Sequence, residues 1–249
     1  MSVNEWVVLV LAGLGAGVLN TVAGSGSVFT LSALLWIGLP PTVANGTNRL
    51  GVLGQSFTAG LAYIRSGAFN LKAHSLHLVV AAIGATGGAY LASLQRESTF
   101  EWVIVATMTF MFALLFKKSK VKTNDKVGNV PKEWLAFVLL GIIGFYGGFI
   151  QMGMGVIALI SLVDLVGYDY HRANGLKLLM TLFFSIPVLL VYIYQGQFQW
   201  QAASAILVGQ VIGAALSTRF LIKRASFNRP MKVLLGMVIL VTLARLILF

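Results

Sequence analysis

Cysteine is absent from the 249 residues, which excludes thiol catalysis, thiolate-held metals and disulfides and leaves the redox compartment open. Charge is nearly as scarce. Asp, Glu, Lys and Arg make up 10% of the chain, against about 25% in a soluble domain. Only seven residues are acidic, and Glu5, Glu97, Glu101, Asp125, Glu133 and Asp169 fall at the ends of apolar stretches or between them. Asp164 alone lies inside an apolar run, where pairing with Arg172 or Lys177 is expected over service as a proton carrier. Cation transport and proton pumping normally rely on intramembrane carboxylates, so this scarcity argues against both. Enzyme signatures are missing too: there is no G-x-S-x-G elbow, no P-loop and no H-E-x-x-H. Transport driven by this chain's own ATP hydrolysis is thereby excluded. His171 has no second His at ligand spacing, so no metal or cofactor is expected.

What remains is mostly apolar. Hydrophobic residues are 58% of the chain, and several runs approach the roughly 20 residues that cross a bilayer. An all-α, multi-pass integral membrane protein follows. The net charge of +11 does not mark a nucleic-acid surface. Lys117, Lys118, Lys120, Lys122, Lys126 and Lys132 share one polar connection, and Lys223, Arg224, Arg229 and Lys232 share another, as the positive-inside rule requires. No basic residue precedes the first apolar run, so no cleavable signal peptide is expected.

The chain also repeats itself at an offset of 129 residues. Ala44-Asn45-Gly46 returns as Ala173-Asn174-Gly175, and Tyr63-Ile64-x-x-Gly67-x-Phe69 as Tyr192-Ile193-x-x-Gly196-x-Phe198. Over residues 44–85, 18 of 42 positions match, against a chance level on the order of 10%. Three divisions result: a first transmembrane repeat over 1–116, a Lys-rich cytoplasmic linker over 117–133, and a second repeat over 134–249. Apolar segments are predicted at about 5–20, 27–38, 43–65, 74–94 and 99–117, then 134–149, 156–167, 171–195, 200–222 and 228–248. The first two of each half look short for full spans. The glycine-rich stretches between them, Gly24-x-Gly26 and Gly153-x-Gly155, suggest a broken or re-entrant helix pair.

Charge placement relates the copies. With the Lys-rich linker in the cytoplasm, the Arg65/Lys72 connection is cytoplasmic as well. If each broken pair enters and leaves on one side, Arg172 and the Lys223–Lys232 cluster also face the cytoplasm. A single net crossing per pair would put that cluster outside. The favoured fold is therefore two inverted repeats, each a glycine-broken pair followed by three transmembrane helices.

Buried polar groups in such a chain are functional candidates. Asn45 and Arg49 share a helical face, as do Asn174 and Lys177, with Asn48 standing opposite Lys177 in the repeat. Two such faces across a pseudo-two-fold axis would surround a small anion with amide donors and positive charge. Gly24, Gly26, Gly153 and Gly155 would let an anion approach backbone N–H groups and would help to gate its path. Asn20, Thr21, Ser25, Ser27 and Gln151 add side-chain donors. The competing explanation is structural: glycines that permit tight packing, and Asn residues that cap helices. His74 and His77 are expected to be solvated at the interface.

Leu19-Asn20-Thr21-Val22-Ala23-Gly24-Ser25-Gly26-Ser27, Gly38-Leu39-Pro40-Pro41 and Ala44-Asn45-Gly46-Thr47-Asn48-Arg49 occur here in order. In this the chain resembles the TauE/SafE sulfite-exporter family over its whole length. Ser25 stands where the family's commonest form has glycine. The resemblance implies a prokaryotic-type permease, expected in the bacterial inner membrane, that exports sulfite, sulfoacetate or a related organosulfur anion. The expected partners are a small anionic substrate, the lipid bilayer and a coupling proton or other ion, with the oligomeric state open. A passive anion channel and a non-transporting scaffold or receptor are the alternatives.

Overall fold

Long apolar runs have no water to satisfy their backbones in a bilayer, so they close their hydrogen bonds internally as helices. The computed structural model describes residues 1–22, 24–65, 74–116, 133–220 and 229–248, and among them it is helical with no strand. The helices are α1 (Val3–Val22), α2 (Ser27–Trp36), α3 (Pro41–Arg65), α4 (Ser75–Ser93), α5 (Glu97–Phe116), α6 (Glu133–Phe149), α7 (Met154–Ile160), α8 (Tyr170–Tyr194), α9 (Trp200–Phe220) and α10 (Arg229–Leu248). A π-helical turn, Ser161–Val166, extends α7. The connections that carry Lys72, the 117–132 lysines and residues 223–228 lie outside the described residues.

Among the described residues, five helices are long and apolar enough to cross a membrane: Val3–Val22, Ser75–Ser93, Glu97–Leu114, Tyr170–Tyr194 and Trp200–Arg219. The first is longer than its sequence suggests. Asn20 and Thr21 look like the polar end of a span, but the helix runs through them because other helices satisfy their carbonyls. α3 equals α8 in length at 25 residues yet is far more polar. Its Asn45, Thr47, Asn48, Arg49, Gln55 and Ser56 are all buried. The outside is the apolar side, with Leu11, Ile83, Trp102, Ile142 and Leu190 exposed, as expected of a surface that meets lipid.

Small residues set the tightest packing. A Cβ on Gly13 would lie 2.7 Å from the Ile206 carbonyl of α9, and Gly144 of α6 presses on Ala81 of α4 in the same manner. Close backbone approach through glycine is the usual membrane device for joining helices. The order of contacts gives direction. Val10, Leu14 and Val18 of α1 meet Gly209, Gly213 and Ser217 of α9 in turn, so α1 and α9 run parallel. Ala81 and Ala85 of α4 meet Gly144 and Gly148 of α6, another parallel pair. α3 follows α9, since Gly46 meets Gln197 and Gly54 meets Val211. α3 and α8 run antiparallel, because Asn45 near the start of one reaches Tyr192 near the end of the other. As α1 and α3 point the same way, α2 returns the chain to the end of the bundle where α1 began.

Candidate functional site

A helix leaves its last four carbonyls without internal partners, and inside a membrane each must be met by the protein. At the end of α1 all four are met. Gly24 N–H donates to Leu19 O at 2.9 Å, Lys177 Nζ to Asn20 O at 3.0 Å, Asn174 Nδ2 to Thr21 O at 3.4 Å and Tyr170 Oη to Val22 O at 2.8 Å. Three of these donors come from the first turns of α8.

The end of α6 is treated alike by α3. Ile150 N–H donates to Tyr146 O, Arg49 to Gly147 O at 2.6 Å and to Gly148 O at 2.8 Å, and Asn45 Nδ2 to Phe149 O at 2.8 Å. Cationic side chains at helix C-termini also complement the helix dipole. Each asparagine makes a second bond across the same interface. Asn45 Nδ2 lies 2.6 Å from Tyr192 Oη, and Asn174 Nδ2 lies 2.7 Å from Tyr63 Oη. Both members of each pair are 129 residues from their counterparts. Tyr63 and Tyr192 were legible only as repeat matches, with nothing to mark them as partners of the asparagines.

The two cations differ in what they face. Arg49 is fully buried and spends four N–H bonds on Gly147 O, Gly148 O, Asn45 Oδ1 and Gln151 Oε1. Lys177 is equally sheltered, at 2% exposure, but makes one hydrogen bond among the described residues, to Asn20 O. It lines a cavity between the two helix breaks, α3 and α8. Asn20 and Gly24 contribute from α1 and the first break, Ser27 from α2, and Gln55 and Ser56 from α3. Gln151, Met154 and Gly155 contribute from the second break, and Thr181 from α8. The lining contains no carboxylate. The space is about 20 Å³, room for roughly one water molecule.

The breaks meet at this cavity. Gly24 has φ +80°, and a Cβ on Gly155 would lie 2.5 Å from the Gly24 Cα. Gly153, at φ +72°, is the N-cap of α7. Of the predicted site residues, the structure gathers Asn20, Gly24, Ser27, Gln151, Gly155 and Lys177 around the cavity. Asn45, Arg49, Asn174 and Thr21 sit behind it in the helix-end bonds. Asn48 accepts from Gln210 Nε2 at 3.3 Å, between α3 and α9. Ser25, Gly26 and Gly153 lie within the breaks but off the lining. Gln55, Ser56 and Thr181 were not among the predicted site residues. Thr181 follows Lys177 by one helical turn, a usable signal, whereas Gln210 carried none.

A second polar cluster ties α4, α6 and α8 at their N-terminal ends. Glu133 accepts from Arg172 Nη2 at 3.0 Å and from Tyr168 Oη, with His77 Nε2 at 3.6 Å. Arg172 also lies 3.8 Å over the Tyr168 ring, and His77 stacks on Phe137 at 4.0 Å. Burial, followed by the bond to Glu133, pushes the Tyr168 hydroxyl above its ordinary pKa. Two expectations are corrected here. Arg172 pairs with Glu133, and Lys177 bonds a carbonyl, so Asp164 takes neither; it is exposed on the π-helical turn. His74 and His77 are buried, at 6% and 4% exposure, because Tyr168 and Phe137 cover their rings.

The family model described as "Sulfite exporter TauE/SafE" matches residues 9–246. A "Probable membrane transporter protein" of Haemophilus influenzae is 26% identical, covering 95% of this chain and 93% of its own. The "Probable membrane transporter protein YfcA" of Escherichia coli is 27% identical, over 93% of this chain and 86% of its own. The "Probable membrane transporter protein YunE" of Bacillus subtilis is 22% identical, over 92% and 90%. No solved structure matches.

Proposed function

The chain belongs to the TauE/SafE sulfite exporter family, and from that premise we propose that it exports a small sulfur-containing anion, sulfite or an organosulfonate, by alternating access. It is a multi-pass membrane transporter. The reading treats the two halves as inverted repeats, a device that places substrate at the repeat interface near the middle of the bilayer. The opposed directions of α3 and α8, and the exchange of capping residues between halves, support that treatment.

One observation carries the choice of an anion. The buried Lys177 ammonium lines the cavity with one bond formed, two N–H donors unspent among the described residues, and no carboxylate in the lining. A buried charge without a counter-ion is costly, and an anion of the right size removes that cost. A volume this small favours a site that widens on opening over a standing pore. Arg49, Asn45 and Asn174 are assigned to the scaffold that holds the breaks in place.

The test is flux in proteoliposomes. Wild-type protein should show saturable sulfite or sulfoacetate transport, Lys177→Ala should abolish it, and Lys177→Arg should keep a fraction. Undiminished saturable flux in Lys177→Ala would remove the proposed substrate charge.

A further inference from the structure

Two glutamines line the cavity, one from each half of the chain, and each has its amide oxygen already committed. Arg49 Nη1 donates to Gln151 Oε1 at 2.8 Å. A guanidinium has donors only, so turning the amide over would break this bond. The –NH2 of Gln151 is the end left to the cavity. At Gln55 the same polarity is imposed at one remove. Gly26 N–H donates to Asn20 Oδ1 at 2.7 Å, which commits Asn20 Nδ2 to donate in turn. It does so to Gln55 Oε1 at 3.3 Å, again leaving an –NH2. A backbone N–H cannot accept, so this chain of bonds also has one direction.

Gln151 is held with some force. It is the one non-glycine residue at positive φ among the described residues, at +63°. Such a conformation is strained and persists where surrounding contacts over-determine it. The bond from Arg49 is one such contact. Nearby, Ser56 is 1% exposed, lines the cavity and has no partner for its hydroxyl.

We propose that Gln55 and Gln151 are the specificity-determining residues of the transport site, fixed as hydrogen-bond donors by Asn20 and Arg49, so that with Lys177 the cavity selects oxyanions bearing no O–H. The inference rests on the anion-transport reading above. Sulfite dianion and sulfonate oxygens accept hydrogen bonds and offer none. Hydrogen phosphate carries an O–H that needs an acceptor, and with no carboxylate and both glutamine oxygens spent, the lining side chains offer it only hydroxyl oxygens such as Ser56 Oγ, which must then turn their own O–H away from the anion. A donor set against two fixed donors, with only hydroxyls left to accept from it, is disfavoured relative to an oxygen that simply accepts. Arg49 acts through Gln151 and is a positioning residue.

Calorimetric binding to purified protein tests this at mildly alkaline pH, where sulfite is the dianion and phosphate keeps a proton. The probes are sulfite, sulfoacetate and inorganic phosphate. Wild-type protein should prefer sulfite or sulfoacetate to phosphate by roughly tenfold or more. Gln151→Glu should keep its melting temperature, since the carboxylate still accepts from Arg49, yet lose that preference. Asn20→Asp should turn Gln55 over and narrow the preference in the same direction. Wild-type protein without the preference, or both variants retaining it, would overturn the assignment of the glutamines. Failure of the wild type to bind any probe would instead overturn the anion reading itself.

Discussion

Gly24 and Gly155 pass each other with no room for a side chain on either: a Cβ on Gly155 would sit 2.5 Å from the Gly24 Cα. One belongs to each glycine-broken segment, so this contact is where the two halves of the cavity are joined. Gly155→Ala forces one backbone away from the other and widens or collapses the site. We expect it to abolish flux and to destabilise the protein by about 1–3 kcal/mol. Gly15→Ala is the control, because a Cβ there meets nothing within 4 Å. Equal melting temperatures and equal flux in the two variants would refute the close approach.

The two Asn–Tyr pairs should be energetically alike. Asn45 with Tyr192 and Asn174 with Tyr63 join α3 to α8 at either end of their antiparallel contact. Interhelical polar bonds in membrane proteins contribute about 0.6 kcal/mol on average, with a maximum near 1.7 kcal/mol. Double-mutant cycles with Asn→Ala and Tyr→Phe, read by unfolding in mixed detergent, should give coupling in that range for both pairs. A coupling near zero in either pair would remove it from the account of the interface.

How much of this was legible in the chain depended on whether a residue's partner is written in side chains. Asn45 and Arg49 were recognised as one helical face, and their 3.1 Å bond bears that out. The mismatch of Asn48 with Lys177 announced an asymmetric centre, and only Lys177 of that pair lines the cavity. What Arg49 faces was not legible, because its acceptors at Gly147 and Gly148 are backbone carbonyls, present in every sequence. The donor polarity of Gln55 was hidden for a related reason. It is set by the Gly26 N–H acting through Asn20, a path that exists only once the first break has folded. The helix boundaries were read to within a few residues. α1, predicted over about 5–20, runs from Val3 through Val22.

Arg49 and Lys177 should fail in different ways when replaced. Removing the Arg49 guanidinium strands the Gly147 and Gly148 carbonyls and frees Gln151, all of them buried. Arg49→Ala should cost about 3 kcal/mol or more of stability and lower the yield of folded protein. Lys177→Ala removes one bond and relieves a buried charge, so its melting temperature should change little while sulfite binding is lost. Thermal melts and binding on both variants decide this. The roles assigned here do not survive if Arg49→Ala is stable and Lys177→Ala is not.

Acid should loosen the end of the bundle where α4, α6 and α8 meet. His74 precedes α4 and is 6% exposed. Burial, with Arg172 and His77 adding to it and Glu133 opposing, holds its imidazole below the usual 6.5. The unfolded chain therefore takes up a proton near pH 6.5 while the folded chain resists it. Wherever the unfolded state binds more protons, stability rises with pH. The contribution of His74 is complete above about 6.5, declines as the pH drops below that value, and levels off beneath the folded-state pKa. His74→Gln cannot take the proton, so its melting temperature should fall less steeply with acidification than that of the wild type. Parallel melting curves for the two proteins would show that His74 does not control the acid sensitivity of this end.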